Sequence, residues 1–306
     1  MKVASNLIKD IRKYYCEQLC SNYDIDEANT MILMLFKHYF NIDRVRMTLE
    51  PELRLSESEM LKIHFAVKDL LKNKPIQYII GETEFCDLKF NVDENVLIPR
   101  PETSEMIYKI VNKTTGQQDN KTTGQQDKSH CSILDVGTGS GCIAISLAKM
   151  LPGSKVYALD ISEKALNIAK ENAINNNVDV TFIHDDILTP TQTLSKFDII
   201  VSNPPYVREL EKAEMRDNVL KWEPHNALFV SDNDPLIFYR KILEFAKTHL
   251  NENGEVWFEI NEFLGKEMTD LCLESGFSNV KIYKDFRGKD RFMNMKKNCC
   301  LSTIVC

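Results

Sequence analysis

"ILDVGTGSGCIAISLA", residues 133–148, decides how the rest of this chain is read. An apolar run suited to a buried strand meets three glycines, Gly137, Gly139 and Gly141, and then an apolar stretch of helical composition. Without Cβ atoms such a loop can turn tightly and let a ligand approach its backbone. It is not the dinucleotide fingerprint G-x-G-x-x-G, whose last glycine would fall at 142, where Cys142 stands. The spacing therefore offers no pyrophosphate cradle.

Outward from this stretch, strands and helices alternate. "KVYALD", "VTFIHDD", "FDIIVSN" and "EVWFEI" read as strands, with helices over 163–175, 236–250 and 265–274. "VKIYKDF" and "RFMNMK" close the chain as an antiparallel pair. Alternation of this kind means a mostly parallel sheet covered on both faces. Right-handed crossovers bring all the parallel strand ends to one edge, where open α/β sheets bind ligands.

Three further features fall on that edge. Asp160 ends the strand after the glycine loop, where a carboxylate can accept both hydroxyl hydrogens of a ribose; a helix N-cap is the plainer role. Asp185 and Asp186 end the next strand, and one of them is a candidate partner for an adenine amino group. Ribose and adenine without a phosphate cradle point to S-adenosylmethionine as the bound cofactor. The fourth strand runs into Asn203-Pro204-Pro205-Tyr206. Two prolines stop a strand, since neither donates a ladder hydrogen bond. They also lock the backbone so that the Asn203 side-chain oxygen and the Pro204 carbonyl can face two N–H bonds of one planar nitrogen. Tyr206 can stack on the flat group that carries it. The Asn203 amide is expected to be anchored through its own NH₂.

Before the sheet the period is helical. Val3, Leu7, Ile8, Ile11, Tyr15 and Leu19 share one face. A second helix covers 30–40, and a third opens with the capping box Ser56/Glu59 and carries Leu61, Phe65, Leu70 and Leu71. Residues 1–75 are thus a small helical bundle, 76–100 a β-hairpin linker, and 101–306 the sheet domain, with a first helix at 103–111. "KTTGQQDNKTTGQQDK", 113–128, is a direct repeat with nothing to bury and is expected to be a disordered insertion.

The whole chain of 306 residues carries a formal net charge of −7, where a protein living on duplex phosphates would more often be basic. The nine cysteines are irregularly spaced, so free thiols and no metal are expected. No apolar run is long enough to span a membrane, and a cytoplasmic location is expected.

"PIQYIIGETEF", "VLIPRPET", the glycine loop, "IVSNPPYV", "WEPHNALF" and "KDFRGKDR" together resemble the HemK/PrmC family, the peptide chain release factor glutamine N5-methyltransferases. Ser104 departs from the acid that often follows "PRPET", and the repeat is atypical. The resemblance implies a seven-stranded S-adenosylmethionine-dependent methyltransferase domain preceded by a helical domain that grips the release factor. It implies that Gly137, Thr138, Gly139, Ser140, Gly141, Asp160, Asp185, Asp186 and Asn203 bind the donor. Asn203, Pro204, Pro205 and Tyr206 would hold the glutamine of the Gly-Gly-Gln loop, with Asn203, Pro204 and Tyr206 catalytic. Pro99 to Thr103 would border the donor pocket. A monomer acting on a protein, without direct nucleic-acid binding, is expected. The alternative is a nucleic-acid adenine N6-methyltransferase, in which the same turn would hold a flipped base.

Overall fold

The computed structural model describes residues 5–116 and 130–297. It divides into two compact units, Met1–Gly81 with Arg216–Trp222, and Glu82–Met215 with Glu223–Cys306.

The first unit is helical: α1 (Ile8–Leu19), α2 (Ile25–Phe40), α3 (Arg44–Leu49), α4 (Glu57–Leu70) and α5 (Ile76–Ile80). Local chemistry sets the ends. The Asp24 side chain accepts from the Asp26 and Glu27 amides, and Asn41 closes α2 in the left-handed region at φ 54°. The Ser56/Glu59 capping box starts α4 as expected. Ile11, Leu19, Ile32, Leu35, Phe36, Ile63 and Leu70 meet in the core. On α4, however, the buried stripe is Ile63, Ala66, Val67 and Leu70, whereas Leu61 and Phe65 are exposed. The helix carries two apolar stripes, and periodicity alone does not say which one faces inward. Residues 76–80, expected in the hairpin, form a helical turn between Pro75 and Gly81 instead. Short apolar runs are ambiguous between helix and strand.

In the second unit β1 (Glu82–Phe85) and β2 (Leu88–Asn91) pair as the hairpin, and α6 (Pro101–Thr115) follows with Pro101 in its first turn. This helix runs into the repeat, so Lys113–Thr115 are helical rather than disordered; 117–128 lie outside the described residues. The alternating part is β3 (Ser132–Val136), α7 (Cys142–Met150), β4 (Lys155–Asp160), α8 (Glu163–Asn175), β5 (Thr181–His184) and β6 (Phe197–Ser202). Next come β7 (Val207–Arg208), α9 (Asp217–Trp222), which packs with the helical unit, and β8 (Phe229–Val230). Then α10 (Ile237–His249), β9 (Leu250–Glu259), α11 (Gly265–Glu274), β10 (Phe277–Lys284) and β11 (Asp290–Lys297) complete the unit.

Seven strands lie in the order β10-β11-β9-β6-β3-β4-β5. β3, β4, β5, β6 and β9 are parallel, and β11 runs antiparallel to both β9 and β10. Apolar side chains cover both faces: Phe258, Tyr239 and Met268 belong to one core cluster, Trp257, Ile145 and Phe292 to the other. A sheet buried on two sides explains the continuous apolar runs seen in its strands.

Candidate active site

Register builds the site. Val136 pairs with Leu159 on one side and Ser202 on the other, and Asp160 pairs with His184. The residues next in the chain, Gly137, Asp185 and Asn203, therefore emerge beside Asp160 in one row along the carboxyl edge.

The loop after β3 is held from below. Gly137 and Thr138 amides donate to the Leu159 carbonyl at 2.8 and 3.1 Å. The Thr138 hydroxyl donates to Asp135 Oδ2 at 2.6 Å. The Gly139 amide donates to Asp160 Oδ2 at 2.8 Å, and the Ser162 amide to Asp160 Oδ1 at 2.8 Å. Asp160 thus ties the glycine loop to the start of α8 and still has lone pairs to offer. Burial raises its pKa, and the two backbone N–H groups oppose that rise. Gly139 has φ 54°, and a Cβ there would meet no protein atom within 4 Å.

Above this loop lies a cavity of about 280 Å³ lined by Gly137, Thr138, Gly139, Ser140, Asp160, Asp185, Asp186, Asn203, Pro204 and Pro205. Pro99, Arg100 and Thr103 border it. Its lining includes apolar Leu159, Ile161, Ile187 and Phe238. Apolar side chains for a purine, an open glycine loop and a carboxylate for vicinal hydroxyls fit S-adenosylmethionine. Gly141 is not in this lining. Its φ is 83°, and a Cβ would stand 2.8 Å from Ile145 Cδ1 and 3.1 Å from Ala169 Cβ, so glycine here lets α7 approach α8.

The two aspartates after β5 part company. Asp185 is committed to the chain: its carboxylate accepts from the Asp186, Thr191 and Gln192 amides and the Thr191 hydroxyl, which hold its pKa down against the desolvation that comes with its position. Asp186 accepts from the Leu188 amide through Oδ1, and Oδ2 has only the Thr189 hydroxyl at 3.4 Å. Of the pair, Asp186 has the capacity for an amino group.

Asn203 is half-buried, and among the described residues its side-chain amide has no hydrogen-bond partner. The expected NH₂ anchor is absent. Asn203 and Pro204 also line a second, smaller cavity of about 40 Å³ with Leu97, Arg100, Tyr206 and Leu228. The Asn-Pro-Pro-Tyr turn therefore stands at the join of the two cavities, and Tyr206 faces only the smaller one.

Several residues at this join escaped the sequence reading. The Tyr206 hydroxyl donates to Glu259 Oε1 at 3.0 Å, and the Thr103 hydroxyl to Glu259 Oε2 at 2.7 Å. Glu259 is fully buried; burial raises its pKa, and the two hydroxyls counter it. Burial and the neighbouring Glu259 raise the Tyr206 phenol well above its usual range. Asn261 Nδ2 donates to the Tyr206 carbonyl at 3.1 Å. One Arg100 nitrogen bridges both oxygens of buried Glu223 at 2.7 and 2.8 Å. Glu259 ends a parallel strand, the same signal that singled out Asp160. Glu223 sits in "WEPHNALF", which carried resemblance but no role.

The sheet, the glycine loop and the paired cavities define a class, the S-adenosylmethionine-dependent methyltransferases. Residues 123–222 match the model of the methyltransferase small domain, and residues 10–81 that of the PrmC N-terminal domain. A release factor glutamine methyltransferase of Flavobacterium psychrophilum is 46% identical over 94% of this chain and 99% of its own length. One from Bacteroides thetaiotaomicron is 40% identical over 94% and 99%. A solved structure of the hMettl16 catalytic domain shares the fold, with a TM-score of 0.53 and 17% identity over 80% of this chain and 84% of that one. The chain belongs to the release factor glutamine methyltransferase family, HemK/PrmC. Among the described residues no group of His, Cys, Asp and Glu is arranged to hold a metal, and no helix is long and apolar enough to cross a membrane.

Proposed function

We propose that the protein transfers the methyl group of S-adenosylmethionine to the side-chain amide nitrogen, N5, of the glutamine in the Gly-Gly-Gln loop of a peptide chain release factor. The observation that carries this reading is the position of Asn203 and Pro204, shared by both cavities. The larger cavity takes the donor: Asp160 accepts from the ribose hydroxyls, Asp186 from the adenine amino group, and Gly137 to Ser140 lie under the rest. The smaller cavity takes the glutamine side chain.

The donor supplies an electrophilic methyl on a cationic sulfur; the chain supplies placement. An amide nitrogen is a poor nucleophile because its lone pair is delocalised. Asn203 Oδ1 and the Pro204 carbonyl accept its two N–H bonds and hold it towards the methyl. As the N–C bond forms and the methyl–sulfur bond breaks, positive charge grows on the nitrogen. Both oxygen dipoles stabilise it, the Pro204 carbonyl being held in place by the proline backbone, and the nitrogen then loses one proton to water. Tyr206, held through Glu259 and Asn261, walls the amide plane. We infer further that the helical unit, residues 1–75 in the sequence reading, grips the body of the release factor.

Mass spectrometry of a release factor incubated with enzyme and donor tests this directly. One added methyl on the Gly-Gly-Gln glutamine is expected. Methylation of adenine in nucleic acid, with the release factor untouched, would overturn it.

A further inference from the structure

β6 divides the carboxyl edge of the sheet. On one side, the ends of β3, β4 and β5 surround the donor cavity. On the other, the edge continues through the end of β9 to the turn between β10 and β11, because β11 is antiparallel to both its neighbours. We propose that this second half of the edge, with Phe263, Phe286 and Leu210 on it, is the docking surface for the polypeptide flanking the accepting glutamine. The proposal rests on the release factor reading above.

Size makes such a surface necessary. A cavity of about 40 Å³ has room for a carboxamide and little more, so the backbone on either side of the glutamine must lie on the rim. Three large apolar side chains stand exposed among the charged residues of the loops on this half of the edge. Phe263 is 63% exposed, Phe286 64% and Leu210 59%. Two of these loops are hydrogen-bonded to the turn that lines the cavity. Asn261, which holds the Tyr206 carbonyl, accepts from the Phe263 amide at 3.0 Å and donates to Glu211 Oε2 at 3.0 Å, next to Leu210.

The loops that carry these side chains are tied to each other. Lys289 of the β10–β11 turn pairs with Glu262 at 2.8 Å. The Phe286 amide donates to Glu105 Oε1 of α6 at 3.0 Å. Within the turn, Asp285 accepts from the Arg287 and Lys289 amides and from Arg291 Nε. Exposed aromatics on braced turns lose little freedom on binding, which is how a few side chains come to dominate a protein–protein contact.

The test compares two substrates, an intact release factor and the bare tripeptide Gly-Gly-Gln, which carries no chain beyond the motif to reach the rim. Phe263→Ala with Phe286→Ala is expected to raise KM for the intact factor about tenfold or more. Donor affinity, kcat and the rate on the peptide are expected to stay as in the parent enzyme. Ile174→Ala, at a still more exposed residue on α8, serves as the control for general loss of surface apolarity. An unchanged KM for the intact factor overturns the docking surface while the release factor reading stands. A loss shared equally by the peptide overturns it too, since the defect would then lie in the cavity. Failure of the parent enzyme on any release factor overturns both readings.

Discussion

Asn203 is where the sequence was read most sharply and where the structure changed the expectation. Its amide has no partner among the described residues, so Oδ1 is free for the acceptor role proposed above. Asn203→Ala is expected to lower single-turnover rates by about 10²–10³ with little change in donor affinity. Asn203→Asp keeps an acceptor in the same place and is expected to recover a substantial part of that loss. Equal failure of the two variants would restore the idea of a tethered NH₂. A second residue, Asp135, is fully buried below the glycine loop, and its pKa is raised from 3.8 to about 7 by burial, with Asp160 adding to the rise. The unfolded chain therefore ionises Asp135 first, and stability falls as pH climbs from about 4 to about 7, by roughly a few kcal/mol in all. Asp135→Asn can keep the acceptor for Thr138 and Ala144 and removes the ionisation. Melting curves from pH 5 to 8 should decline less steeply in the variant; parallel curves would show that Asp135 is ionised throughout.

At the scale of elements, most of the parallel strands and their helices were legible because they are apolar runs or periodic ones that stop at glycine or polar residues; β5, of four residues, was legible by its place in the alternation. What escaped was short or doubly patterned. α3 buries no residue, α5 is five residues long, and α4 presents two apolar stripes. The bracing around the turn escaped for another reason. Glu259 and Tyr206 are 53 positions apart, and Arg100 and Glu223 are 123 apart, so nothing local announces either pair. The glycine loop was legible as a loop, but its three glycines do different work. Gly139→Ala would project a methyl into the open space of the larger cavity from a residue at φ 54°; about a tenfold or larger loss of donor affinity is expected, the usual scale of overpacking, beside about 1–2 kcal/mol of left-handed strain without a clash. Gly141→Ala would instead strike Ile145 and Ala169 in a left-handed conformation, at about 1–3 kcal/mol of stability. Calorimetric titration and thermal melts of the two variants should thus move in opposite proportion. Equal effects would erase the distinction.

For the molecule as a whole, the division into a helical part and a sheet part was visible from the change of period near residue 76. The return of Arg216–Trp222 to the helical unit was not, since its ties reach back 150 positions: Trp222 Nε1 donates to the Lys72 carbonyl, and the Lys74 ammonium lies 5.3 Å from the Trp222 ring. A fragment of residues 82–306 retains every donor-cavity residue but leaves Trp222 without these partners. It is expected to bind donor near the parent affinity, to melt at lower temperature, and to methylate an intact release factor poorly. Parent-like turnover on the intact factor would remove the helical unit from substrate binding. The chain crosses between the units after Gly81, after Met215 and again after Trp222. A single proteolytic nick at the first crossing would therefore release nothing, because the stretch 216–222 still stitches one piece into the other. Such nicked protein should travel as one species on a native gel and come apart only in denaturant.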